Sequence, residues 1–277
     1  MELLISTGFL SMFSRLPDYL LRHPVRFAAR VASDPVEAWI AFQERARARR
    51  DRIVPPGLYP ADTDWERRLH DLLGILWPCQ ASSEFWDLWR RVVMELEGRG
   101  IRVGPESFKG WNDGDAGMVR AIWCLARHLR AAKVVETGVA HGVTSRFILE
   151  ALERNGAGHL WSIDYPPLDH ASHDQIGIAV GAENRARWSY IRGSSRRRLP
   201  RILPELGEID MFVHDSLHSE GNVRFELDRA WAALRSGGAI VVDDIDTNWA
   251  FRNFTPPGEA LPGVPGYRFD SLYVVIS

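Results

Sequence analysis

Lys133-Val134-Val135-Glu136-Thr137-Gly138-Val139-Ala140-His141-Gly142 is the segment from which the rest of this chain can be read. Two β-branched residues, Val134 and Val135, run into an acidic residue, and glycines follow at 138 and 142. Thr144 and Ser145 stand where they can cap a helix that begins near Arg146. The pattern predicts a strand, a tight glycine turn and a helix N-terminus, whose free amides form a cradle for a nucleotide-like ligand. Glycine turns after strands are common in α/β proteins, so the weight of this one rests on what surrounds it.

Downstream, helical and extended patterns alternate. A helix over 116–131 leads into strand Val134–Thr137, and a second helix over 145–154 precedes strand Leu160–Asp164. Helical stretches over 176–187, 197–206 and 221–234 separate strands at 189–192, 211–214 and 239–242. Alternation of this kind predicts parallel strands with right-handed crossovers, an α/β doubly wound sheet. The last strand, 271–277, follows a proline-rich loop with no intervening helix, which predicts an antiparallel return at the sheet edge. Residues 1–110 read instead as proline-broken helices with an aromatic-rich core of their own, with seven of the eleven tryptophans at or before Trp123. The division expected is therefore a helical N-terminal region over 1–110 and a ligand-binding domain over 111–277.

Ligands of doubly wound sheets bind beyond the carboxyl ends of the strands. Five such ends carry polar or flexible groups: Glu136-Thr137-Gly138, Asp164-Tyr165, Gly193-Ser194-Ser195, Asp215-Ser-Leu-His218 and Asp243-Asp244. The dinucleotide fingerprint with three glycines is absent, because two glycines four residues apart do not supply it.

Taken together, these motifs resemble those of class I S-adenosylmethionine-dependent methyltransferases, and in particular the bacterial small-molecule O-methyltransferases. The glycine motif of that superfamily resembles Glu-x-Gly-x-Gly-x-Gly; here Ala140 stands at the middle glycine. The resemblance implies a Rossmann-like fold and S-adenosyl-L-methionine as cofactor. It implies that Glu136, Thr137, Gly138, Val139, Ala140, His141 and Gly142 line the cofactor. Asp164 would accept hydrogen bonds from the ribose hydroxyls, Tyr165 would line the same pocket, and Gly193, Ser194 and Ser195 would lie near the adenine.

The segment Asp215-Ser-Leu-His218 looks like the fourth-strand motif of the same enzymes, and Asp243-Asp244 like their acidic turn after the fifth. Some members hold Mg²⁺ or another divalent cation there. Asp215, Asp243 and Asp244 are the candidate metal ligands, with Asn248 as an outlying one, although the usual Asp-Asn pair is missing. Hard oxygen donors suit Mg²⁺, Ca²⁺ or Mn²⁺. Asp215 is counted with both the cofactor and the catalytic groups. His218 is the candidate base, since imidazole titrates near neutral pH; its competing role is to order the loop. His214, inside the strand, is expected to pack in the core.

Composition narrows the partners. A formal net charge of −2 gives no general attraction to nucleic acid. The arginines at 45, 47, 49, 50 and 52, and those at 196–198, read as solvated helix faces rather than phosphate sites. Cys79 and Cys124 show no metal-ligand spacing and read as two ordinary thiols of a reducing, cytoplasmic compartment. No apolar run reaches the ~18 residues of a membrane span, although 3–31 has the mixture of apolar and basic residues that can lie on a membrane surface. The expected substrate is a small-molecule hydroxyl acceptor such as a sugar, glycolipid or secondary metabolite. The N-terminal region would serve as lid, acceptor pocket or homodimer arm. Two competing functions remain on the same fold: an iron- and 2-oxoglutarate-dependent hydroxylase, and a non-catalytic S-adenosylmethionine-binding protein.

Overall fold

The computed structural model describes residues 28, 31–51, 63–108, 110–165, 170–254, 267–269 and 272–276. The apolar N-terminus and the proline cluster at 55–60 lie outside them, so the membrane-surface expectation does too. Among the described residues, no helix is long and apolar enough to cross a membrane.

Helices α1 (Pro35–Asp51), α2 (Trp65–Leu72) and α3 (Gln80–Gly98) precede a short hairpin, β1 (Gly104–Phe108) and β2 (Trp111–Asp113). Then come α4 (Ala116–His128), β3 (Lys133–Thr137), α5 (Val143–Asn155), β4 (His159–Asp164) and β5 (Trp188–Arg192). The chain continues through α6 (Ser195–Leu206), β6 (Ile209–His214), α7 (Glu220–Ala233), β7 (Leu234–Val242), β8 (Tyr267–Phe269) and β9 (Leu272–Ile276). One sheet of seven strands runs in the order β5-β4-β3-β6-β7-β9-β8. Strands β3 to β7 are parallel, while β9 pairs antiparallel with β7, and β8 with β9. The doubly wound sheet predicted from the alternation is the sheet observed.

Two local expectations are corrected. Strand β9 is not the edge; β8 pairs along its far side and takes that place. The helix expected over 176–187 is replaced by two short 3₁₀ turns, His170–Gln175 and Ala182–Arg187. Glycines at 177 and 181 interrupt the backbone between them, and the first packs its Cα against the Trp188 ring, where an added Cβ would sit 2.4 Å from a ring carbon.

Strand periodicity sets which side chain goes where. Val134, Leu160, Met211, Val213, Ala239 and Val241 face α3, α4 and α5 in one core. Val135, Ile163, Phe212, Ile240 and Val242 face α6 and α7 in the other. Full burial of each such side chain contributes about 1.5–3 kcal/mol. The polar residues that follow inherit the same alternation, so Glu136 points to the α5 side and Thr137 to the α7 side.

The separate aromatic core expected for the first hundred residues is corrected. Leu69, Phe85, Leu88 and Val92 belong to the same buried cluster as Val119, Ile122, Trp123 and Phe147. The Trp123 indole donates to the Ala81 carbonyl at 2.8 Å, joining α4 to the first turn of α3. Helix α1 docks differently, through charge. Asp34 pairs with Arg197 at 2.6 Å, Glu44 with Arg196 at 2.5 Å, and Asp51 accepts from the Glu220 amide at 2.7 Å. Arg196 and Arg197 are therefore anchors for an acidic helix face, not the solvated surface that their run in the sequence suggests.

Candidate active site

The sheet order reverses at β3, which has β4 on one side and β6 on the other. A crevice opens at such a switch point, and the glycine turn forms its floor. Gly138 has φ +88°, and a Cβ there would lie 1.8 Å from the Asp215 carbonyl oxygen. Its freedom is thus consumed by the passing end of β6. A Cβ on Gly142 (φ +84°) would come within 2.9 Å of the Gly177 Cα. Ala140, at the expected middle glycine, adopts the left-handed conformation with φ +49°, at a cost of roughly 1–2 kcal/mol for an L-residue. The turn is held by the Gly177 and Ala179 amides, which donate to the carbonyls of Ala140 and His141 at 3.0 and 2.8 Å.

Asp113, at the end of β2, braces the turn from outside. Its Oδ2 accepts from the His141 amide at 2.9 Å and lies 3.0 Å from the His141 ring. The ring stands edge-on to Phe108 with centroids 4.8 Å apart. This contact between the hairpin and the glycine turn was not legible in the sequence; the Asp113 carboxylate near a helix start was the available signal. Helix capping by Thr144 and Ser145 is also corrected. Gly142 is the N-cap, and no side chain caps it. Ser145 is drawn away because its hydroxyl donates to Glu136 at 2.6 Å.

Four carboxylates gather at the strand ends with no lysine or arginine paired to them among the described residues. Glu136 is buried, and its Oε2 accepts from Ser145 and Ser162, each at 2.6 Å. Its other oxygen, Oε1, is buried with no partner. Burial pushes this carboxyl up to about 7, against the lowering effect of the two hydroxyls. Asp164, closing β4, is also raised by burial to about 7, opposed by the Tyr165 amide. Burial raises Asp215 well above the usual carboxylate range, and the charges of Asp243, Asp113, Asp244 and Glu136 add to it. Asp243 is lifted to about 7 by burial and then by Asp244.

His218 sits among them. Its Nδ1 lies 3.2 Å from Asp244 Oδ2, which directs the imidazole proton to that carboxylate. The other nitrogen, Nε2, is buried without a hydrogen-bond partner and lies 3.9 Å from Asp215 Oδ1. Burial lowers the ring to about 4 despite the opposing charge of Asp244, so the ring is neutral at physiological pH. One donor atom each from Asp215, His218 and Asp243 falls within 4.8 Å of the others. The structure therefore brings His218 together with Asp215 and Asp243, while Asp244 turns to the imidazole. Asn248 is occupied: its amide donates to the His218 carbonyl at 3.2 Å and its oxygen accepts from the Ala250 amide at 2.8 Å.

The opposite face of β3 and β6 holds a second polar group, of which the sequence reading anticipated only that His214 packs inside. His214 and Glu226, both fully buried, are paired at 2.6 Å. Glu226 also accepts from Thr137 at 2.5 Å, Ser216 at 2.8 Å and Asn222 at 2.9 Å. The Thr137 side chain thus faces away from the glycine cradle. At the end of β5, the Ser194 amide donates to Glu37 of α1 at 3.0 Å, and Ser195 donates to Asn222 at 3.3 Å. Gly193, just before them, takes φ +143°.

A sequence model described as "Methyltransferase domain" matches residues 135–245, the segment from β3 to the turn after β7. This match bears out the class I methyltransferase resemblance and the expectation of an enzyme. Among solved structures, an O-methyltransferase from Bacillus cereus in complex with SAH is 15% identical, with a TM-score of 0.49 over 77% of this chain and 98% of that one. Cofactor-bound Rv0187 from MTB is 18% identical, with a TM-score of 0.48 over 79% and 98%. The O-methyltransferase TomG from Streptomyces achromogenes, involved in tomaymycin synthesis and in complex with SAM, is 19% identical, with a TM-score of 0.42 over 66% and 75%. No curated protein sequence matches the chain.

Proposed function

We propose that the domain transfers a methyl group from S-adenosylmethionine to a hydroxyl of a small molecule, with a divalent cation held by Asp215 and Asp243. The observation that carries this reading is the gathering of Glu136, Asp164, Asp215 and Asp243 around the switch point with, among the described residues, no lysine or arginine paired to them. Buried carboxylates left in this state resist ionisation, and a ligand that brings positive charge relieves them. S-adenosylmethionine, when bound, supplies an electrophilic methyl group on a positively charged sulfur, together with an ammonium group and a ribose diol.

The residues fit those groups. Asp164, at the end of β4, has lone pairs for two ribose hydroxyls. The unpartnered Oε1 of Glu136 offers an acceptor beneath the glycine turn. His218, neutral and with Nε2 unpaired, can take the proton of an acceptor hydroxyl, a role worth about 10²–10⁴-fold in rate. A ring lowered to about 4 is a weak base, so a cation that acidifies the acceptor would share this work. Two carboxylates, completed by water, suit Mg²⁺ or Mn²⁺. Holding acceptor and donor in line contributes most of the remaining effect, up to roughly 7–11 kcal/mol in favourable systems.

The test is a calorimetric titration of the full chain with S-adenosylhomocysteine, paired with turnover before and after exhaustive chelation. Asp164→Ala should weaken binding at least about tenfold at an unchanged melting temperature, and chelation should suppress turnover. An unaltered affinity would remove Asp164 from the site; turnover that survives chelation would remove the cation.

A further inference from the structure

Away from the strand ends, the fold assembles a second donor set from three separate elements. His70 lies in the last turn of α2, Cys79 is the N-cap of α3, and Cys124 and His128 lie one turn apart on α4. One donor atom each from His70, Cys79 and Cys124 falls within 4.8 Å of the others. His70 Nε2 is 3.0 Å from Cys79 Sγ, and His128 Nε2 is 3.1 Å from the same sulfur. The sequence reading of two unrelated thiols is thereby corrected. No local motif announces the cluster, because packing of α3 on α4 closes the gap between positions 79 and 124.

We propose that His70, Cys79 and Cys124 bind a zinc ion, with His128 as the nearest further donor. Three features of the surroundings favour metal over an ordinary hydrogen-bonded thiol. First, His70 Nδ1 lies 2.7 Å from the Glu66 carbonyl. A carbonyl only accepts, so Nδ1 carries the proton and the Nε2 lone pair is aimed at the sulfur. Metal-bound histidines are oriented by this kind of contact through the other ring nitrogen. Second, Cys79 Sγ accepts from the Ser82 amide at 3.2 Å at the start of a nineteen-residue helix, an environment that favours thiolate. Third, a single S–H on Cys79 can donate to one imidazole only, and two face it. A cation between sulfur and nitrogen removes that conflict, and two thiolates balance its charge in a site where Cys124 and His70 are fully buried.

Thiolate and imidazole together select zinc over the hard ions expected at the carboxylate site. Bond lengths of about 2.3 Å to sulfur and about 2.0 Å to nitrogen place tetrahedral donors roughly 3.5 Å apart, within the span that these atoms occupy. Cys79 is only partly buried, which leaves an entry path. The ion would staple α2 and α3 to α4, whose far end leads into the glycine strand. Its role would be structural, distinct from methyl transfer and independent of it.

The full chain, purified without a histidine tag under reducing conditions, should contain about one zinc per molecule by elemental analysis. Cobalt substitution of the same wild-type chain should produce the ultraviolet charge-transfer absorption of thiolate-bound Co²⁺. Cys124→Ser should lower zinc affinity at least about tenfold in competition with a chromogenic chelator, whereas Asp215→Asn should leave it unchanged. Three results would overturn the proposal: a zinc-free folded chain that binds no added Zn²⁺, bound cobalt without thiolate absorption, or zinc that is lost with Asp215→Asn and kept with Cys124→Ser. The cobalt spectrum needs no variant, so the test holds even if Cys124→Ser does not fold.

Discussion

Glu136 and Glu226 are both buried against the central strands, on opposite faces of one sheet, and they have opposite fates. Glu226 meets His214, Thr137, Ser216 and Asn222. Burial pushes its carboxyl up, but the charge of His214 and these hydrogen bonds outweigh it and hold it at about 2. Glu136 meets only two hydroxyls, has one oxygen without a partner and is raised to about 7. Equal burial therefore says little about a carboxylate; the number and charge of its partners decide. The α7 face is a closed network that completes itself. The strand-end crevice, with Asp164, Asp215 and Asp243 beside Glu136, has no such set of partners, and under the proposed function a ligand of positive charge completes it.

The sharpest separation of the two regions is kinetic. His218 lies on the open side, so His218→Ala should lower kcat by about 10²–10⁴-fold while S-adenosylhomocysteine affinity stays within about twofold. Collapse of that affinity in calorimetry would assign His218 to loop order. A somewhat smaller effect is expected in stability. Removing one partner from a buried pair costs about 3–5 kcal/mol, so Glu226→Ala should show that loss in urea unfolding. Glu136→Gln should be near neutral, because it deletes a charge that nothing balances. Equal losses in the two variants would break the distinction between a closed and an open face.

The pH dependence separates the two faces by sign rather than by size. For Glu136, Asp164 and Asp243 the folded carboxyl is raised to about 7 from ordinary values near 4. The folded state thus binds more protons than the unfolded one across this window, and stability falls as pH rises through it. Glu226 has the opposite sign: its contribution is complete above about 4.5 and is lost as pH falls towards about 2. The melting temperature of the ligand-free chain should therefore decline between about pH 4.5 and about pH 7. Added S-adenosylhomocysteine with Mg²⁺ should recover more of it at about pH 7.5 than at about pH 5. A flat profile over that range would mean that these carboxyls are already balanced.

Much of the candidate site was legible residue by residue. Glu136, Asp164, Asp215 and Asp243 each end an apolar run, and the rule that ligands lie beyond the carboxyl ends of parallel strands collects them without coordinates. Partner choice was less accessible. Asp244 looked equivalent to Asp243, yet a left-handed backbone at φ +50° turns it to His218. Thr137 looked like part of the cradle, yet the two-residue period of a strand sends it to Glu226.

Order along the chain, the alternation of strand and helix, and the places where glycine must relieve the backbone all follow from short-range chemistry, so they can be read from residues a few positions apart. Which distant groups meet is another matter. The pairing of His214 with Glu226, the bracing of His141 by Asp113, and the convergence of His70 with Cys79 and Cys124 depend on strand register and on how one helix seats against the next. Those are set by the packing of the whole core, and no local pattern encodes them.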